Sequence, residues 1–135
     1  EAKIIHVARS AQATCWSNFK TYFSSNDLGY ACDLSDVVTY YKLYQDLMNF
    51  WDQLHGKEIY LLNYDSLVAH QETETRNLLD FIGLNWEEAC LSPHLNTRVV
   101  QTASQQQVRQ KIYTGSSEEW RKFEPFIEGV FDGLI

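Results

Sequence analysis

The sequence predicts an α/β fold with a short parallel sheet flanked by helices, and three observations carry that prediction. Two runs of β-branched and apolar residues, Lys3 to Ala8 and Glu58 to Tyr64, read as buried strands. Each is followed closely by a segment of helical periodicity. The resulting order, strand, helix, helix, strand, helix, is that of crossover units with parallel strands. Two strands make a thin sheet, so the pattern reads as one edge of a larger one, and the apolar strands suit cover on both faces.

Taken in order, Gln12 to Phe23 is predicted helical, with Trp16, Phe19 and Phe23 on one face. Ser24 to Leu34 is rich in Ser, Asn, Asp and Gly and reads as a loop. The clearest helix follows, capped by Asp33 or Ser35. In it Tyr40, Tyr44, Leu47, Trp51 and Leu54 recur as a core-facing stripe, and Gly56 ends it. Gln71 to Ile82 is a helix stopped by Gly83, and Trp86 to Leu91 a further turn or two. Ser92 to Thr114 is ambiguous: polar, yet punctuated by Val99, Val100, Val108 and Ile112. A helix from Ser116 or Ser117 to Phe123 and a last one opened by Pro125 complete the chain.

Composition bounds the class. With 135 residues, 44% hydrophobic and 14% aromatic, residues 1–135 suit one globular domain rather than a disordered or fibrous chain. Cys15, Cys32 and Cys90 are odd in number and lack any CxxC pairing, which fits reduced thiols in a cytoplasm better than a disulfide scaffold or zinc module. The histidines are scattered without metal-ligand spacing, so no metal is expected. No secretory signal and no membrane-spanning apolar run is expected. The net charge of −7 conceals an asymmetry: residues 26–88 carry −9, whereas residues 98–122 carry +3. That balance argues against general nucleic-acid binding but suits a site for a small, highly charged anion. A solvated charged face is the plainer alternative.

Three blocks bear on chemistry. Arg9 ends the first strand, where a strand, a short turn and a helix N-terminus favour phosphate, and Ser17 adds a hydroxyl on that helix. Arg9 at a strand end is equally a surface residue in its own right. In the second block, Tyr64 closes the second strand, the end of an open α/β sheet where ligands bind. A core tyrosine explains it as well. The third block runs from Cys90 to His94 and from Arg98 to Tyr113, with Ser116 and Trp120 beyond.

Arg9 and Ser17, eight residues apart between a strand and a helix, resemble the 3′-phosphate motif of sulfotransferases that use 3′-phosphoadenosine 5′-phosphosulfate (PAPS). The second block, Tyr60 to Leu67 followed by Leu78 to Leu84, is similar to that family's strand and helix ending Leu-x-x-Phe-x-Gly. The third resembles the C-terminal motif of TPR-linked sulfotransferases and the nucleotide-binding stretch of tyrosyl-protein sulfotransferases. The resemblance implies a partial P-loop-like sulfotransferase fold and sulfuryl transfer from PAPS to a hydroxyl acceptor, with a protein tyrosine among the candidates. It implies that Arg9, Ser17 and Arg109 hold the 3′-phosphate and that Tyr64 lies against the adenosine. Ser104 would act at the reacting sulfuryl group, while Gln107, Val108, Lys111 and Tyr113 complete the nucleotide-binding stretch. Ala11 stands where the family often has Pro, Lys111 where a Pro is common, and Glu119 where a Lys or Arg is expected, so that Lys111 or Lys122 would have to substitute.

The family's 5′-phosphosulfate loop and general base have no counterpart among these residues and are expected upstream of Glu1. Two functions therefore compete. One is a transferase-derived domain that holds the nucleotide, with a peptide or small hydroxyl acceptor. The other is a non-catalytic module that self-associates, as a homo-oligomer, through the sheet edge.

Overall fold

The computed structural model describes residues 2–23, 26–100 and 106–134. It is α/β, as expected, with a two-stranded parallel sheet. The chain divides into two compact units, one formed by residues 9–59 and 115–135 and the other by residues 1–8 and 60–114.

In the first unit, helix α1 (Ala11–Lys20) is capped by Ser10, whose hydroxyl accepts from the Ala13 amide. It ends earlier than the periodicity predicts. Thr21 turns extended, with its hydroxyl bonded to the Ser17 carbonyl at 2.6 Å, and Phe23 leaves the helix. The buried residues of α1 are all small: Ala11 and Cys15 on one face, and Ala13 on another. Ala11 and Cys15 admit the next helix closely, against Val37 and Val38. The expected aromatic face is used otherwise: Trp16 stacks on Phe123 at 4.6 Å between centroids.

Asn26–Cys32, expected as loop, forms short 3₁₀ turns on either side of a kink at Leu28, where the backbone is not helical. Helix α2 (Leu34–His55) then starts at Asp33, whose Oδ1 accepts from the amides of Ser35 and Asp36 at 2.8 and 3.2 Å. Asp33, not Ser35, is the cap. The stripe predicted to face the core is largely outward: Tyr40 is 53% exposed, Leu47 52% and Leu54 57%. The inward face is Leu34, Val37, Val38 and Tyr41, displaced around the helix from the apolar stripe. Gly56 has an ordinary right-handed backbone, so its role is space rather than handedness. A Cβ there would lie 2.6 Å from the Asp52 carbonyl oxygen.

Residues 116–126 form 3₁₀ winding rather than an α-helix, with Pro125 inside it, and among the described residues no separate final helix follows. The last residues return to the core, where Ile127, Phe131 and Leu134 join Ala11, Cys15, Val37 and Val38. Trp120 meets Phe131 edge-on.

In the second unit, β1 (Ile4–Ala8) lies beside β2, which runs Ile59–Asn63 across the unit boundary. The expectation of cover on both faces is not met. Ile4, Ile5, Val7 and Leu61 are 41–63% exposed, while Leu62 is buried. Two strands give too little surface to bury their own side chains. Strand β2 passes directly into α3 (Tyr64–Ala69), because Asn63 caps it by accepting from the Ser66 amide at 2.9 Å. Helix α4 (Gln71–Ile82) has its predicted limits, and Gly83, at φ 76°, closes it with the left-handed residue that glycine tolerates best. Beyond it lie short 3₁₀ turns at Glu88–Leu91, Pro93–Leu95 and Gln107–Arg109.

Candidate functional site

The residues singled out by the sequence fall into two sets. Arg9 and Ser17 belong to the first unit; Tyr64, Gln107, Val108, Arg109, Lys111 and Tyr113 belong to the second. Ser104 lies outside the described residues.

Arg9 stands between β1 and the Ser10 cap and is half-buried. Its Nε donates to the Ser117 hydroxyl at 3.0 Å, a contact that orients the guanidinium from the far end of the sequence. Ser17 sits in the middle of α1, also half-buried. Because Ser10 spends its hydroxyl on the Ala13 amide, one helix-terminal donor is already satisfied. Side chains therefore have to supply much of any anion grip here.

Sequence reasoning missed Lys20. It follows Ser17 by three positions, which places both on one side of α1. Its ammonium pairs with the Glu119 carboxylate. Glu119 is thereby held below the ordinary carboxylate range. The hydrogen bond from Lys20 is the largest cause, and the charges of Lys20, Lys122 and Arg9 add to it against partial desolvation. The acidic residue that breaks the expected basic pattern is thus paired with one cation, Lys20, and feels the charges of two more. The spacing of Ser17 and Lys20 was the available signal; the partner came from almost a hundred residues away.

In the second unit, Tyr64 is the first residue of α3 and half-buried. Gln107, Val108 and Arg109 form one exposed 3₁₀ turn, and Lys111 and Tyr113 follow it, also exposed. Arg109 donates to the carbonyl of Arg98, which folds this stretch back on itself. The presentation is open rather than pocketed. Nearby, Arg76 lies over the Trp86 ring at 3.8 Å and pairs with Glu72, bracing α4.

Among the described residues no group of three or more His, Cys, Asp or Glu side chains is placed to hold a metal ion. Among them, too, no helix is long and apolar enough to cross a membrane.

The model of the sulfotransferase family matches residues 1–88. The chain belongs to the sulfotransferase family. The match contains β1, Arg9, Ser17, Lys20 and Tyr64, so both the strand–Arg–helix geometry and the second strand fall within it. An uncharacterized protein of Aquifex aeolicus (strain VF5) is 34% identical over 135 residues, covering 98% of this chain. The chain spans 18% of that relative's length. Sulfotransferases of this family take PAPS as sulfate donor in general.

Proposed function

We propose that this sulfotransferase-family chain binds the 3′-phosphoadenosine portion of PAPS, within a protein of the tyrosyl-protein or TPR-linked kind. The observation that carries the reading is Arg9: it directly follows β1, precedes α1, and is oriented by Ser117 with Ser17 on the following helix. A guanidinium so placed makes a charge-assisted, forked contact with a phosphate. On this reading Arg9 and Ser17 hold the 3′-phosphate. Tyr64, Gln107, Val108, Arg109, Lys111 and Tyr113 are assigned to the same nucleotide by resemblance, and Ser104 to the sulfuryl group. The acceptor is a hydroxyl, of a peptide tyrosine or a small molecule. A reducing, cytoplasmic setting is part of the proposal, supported by the unpaired thiols of Cys15, Cys32 and Cys90.

The test is thermal. 3′-Phosphoadenosine 5′-phosphate is expected to raise the melting temperature in a concentration-dependent way, as any ligand of the native state does. Adenosine 5′-phosphate is expected to do so much less. Equal shifts with both nucleotides would remove the 3′-phosphate from the account. With radiolabelled PAPS and tyrosine peptides, these 135 residues are expected to bind without transferring, because none of them matches the general base or the loop that neutralises the leaving phosphate.

A second reading, self-association, draws on a separate observation. Tyr40, Leu43, Leu47, Phe50 and Leu54 are all more than half exposed on α2, and β1 exposes Ile5 and Val7. Light scattering that returns 15.8 kDa at high concentration would exclude it.

A further inference from the structure

We propose that Glu119 is an internal competitor for the phosphate-binding cations around α1, and that Lys20 is a further phosphate ligand released when Glu119 is displaced. The inference rests on the reading that Arg9 and Ser17 hold a 3′-phosphate.

The geometry is that of one short segment engaging both ends of one helix. Ser117 meets Arg9, just before α1, and two residues later Glu119 meets Lys20, the last residue of α1. Ser17 lies between those two cations along the helix. The neighbouring Glu118 is paired with Arg121, whereas the Glu119 carboxylate is directed to α1.

The charges decide what this arrangement can do. Arg9, Lys20 and Lys122 all act on the one carboxylate. Arg9 and Lys20, the cations that residues 117 and 119 engage on either side of Ser17, face a single carboxylate between them, which leaves positive charge in excess. A phosphate monoester carries roughly −1.5 to −2 at neutral pH and offers three acceptor oxygens, so it answers that excess better than a carboxylate. The pair it must displace is weak. The Lys20 and Glu119 side chains are 40% and 42% exposed, and a bridge so placed in water is worth at most about 1 kcal/mol. Glu119 therefore holds Lys20 in position when no ligand is present and yields to a stronger anion. This also accounts for an acidic residue where the family pattern expects a basic one: Lys20, approaching from α1, supplies the missing charge.

The experiment titrates the 135-residue chain with 3′-phosphoadenosine 5′-phosphate, and in parallel with adenosine 5′-phosphate, at low salt. Removing the competing charge in Glu119→Gln is expected to tighten the first nucleotide about fivefold and leave the second unchanged. Lys20→Met, which keeps the aliphatic stem, is expected to weaken the first about fivefold in the wild-type background and by more than that in Glu119→Gln, where no ion pair has to be broken before Lys20 meets the phosphate. Circular dichroism and the melting temperature of each variant establish that the fold is retained. If Glu119→Gln and Lys20→Met bind like wild type while Arg9→Ala binds less well, the competitor is refuted and the phosphate reading stands. Tightening of both nucleotides equally would mean a general charge effect and would also refute it. If Arg9→Ala binds as wild type does, the phosphate reading falls and this inference falls with it.

Discussion

The two units are built by different means. Residues 9–59 and 115–135 enclose a hydrophobic core in which Cys15 is fully buried and Val37 nearly so. In the unit formed by residues 1–8 and 60–114, Leu62 is the apolar side chain buried among the described residues, and most of β1 remains exposed. There, capping and surface contacts hold the elements: Asn63 on α3, Gly83 closing α4, Gln71 donating to the Leu91 carbonyl, and Tyr60 against Phe81. The difference teaches where each kind of ligand residue can be relied upon. Arg9 precedes a packed helix and Ser17 lies within it, so both are positioned before any ligand arrives. Gln107 to Tyr113 are displayed on open turns, so ordering them costs conformational entropy on binding.

The sharpest way to break that comparison is a truncation in each unit. Phe131→Ala, in the core, is expected to cost about 3–5 kcal/mol of unfolding free energy. Ile5→Ala, on a strand residue 41% exposed, is expected to cost well under half as much. Denaturant titrations giving equal losses would abolish the distinction.

Alkaline titration sharpens it next. Burial pushes the Cys15 thiol from its ordinary 9.0 up to about 11. The folded state thus keeps a proton that the unfolded state gives up, so stability falls as the pH rises from about 9 toward 11. The loss expected from this thiol is up to roughly 2 kcal/mol. Tyr41 and Tyr44 are raised as well, chiefly by burial, and act in the same direction. Cys15→Val should therefore show a visibly shallower alkaline decline than wild type. An identical slope would contradict the burial of Cys15.

Smaller effects are expected at the caps. Asp33→Ala removes the acceptor of two α2 amides and should lower stability by about 1 kcal/mol. Gly83→Ala, at φ 76°, should cost about as much through backbone strain alone. A loss at Gly83 without one at Asp33 would shift weight from the cored unit to the open one.

Local signals were legible in the sequence, and long-range ones were not. Both strands, the α4 limits and the Asp33 cap follow from short-range chemistry: β-branched runs, periodicity, a carboxylate before a helix and a glycine after one. The face of α2 did not follow. Its apolar stripe at Tyr40, Leu47 and Leu54 is real, but the neighbouring helix presents Ala11 and Cys15 to Val37 and Val38 instead, and only tertiary packing makes that choice. The end of α1 was misplaced because Thr21 turns out of the helix while still bonding to it through its side chain. At the site, Arg9 and Ser17 were legible through a fixed spacing. Lys20 and Ser117 were not, because their meaning depends on residues about a hundred positions distant.

The central claim is that Arg9 grips a 3′-phosphate, and calorimetric titration with 3′-phosphoadenosine 5′-phosphate tests it most directly. Wild type is expected to bind, and Arg9→Ala to lose about 1.5–3 kcal/mol, the worth of a hydrogen bond to a charged group. Indistinguishable affinities for the two proteins would contradict the account.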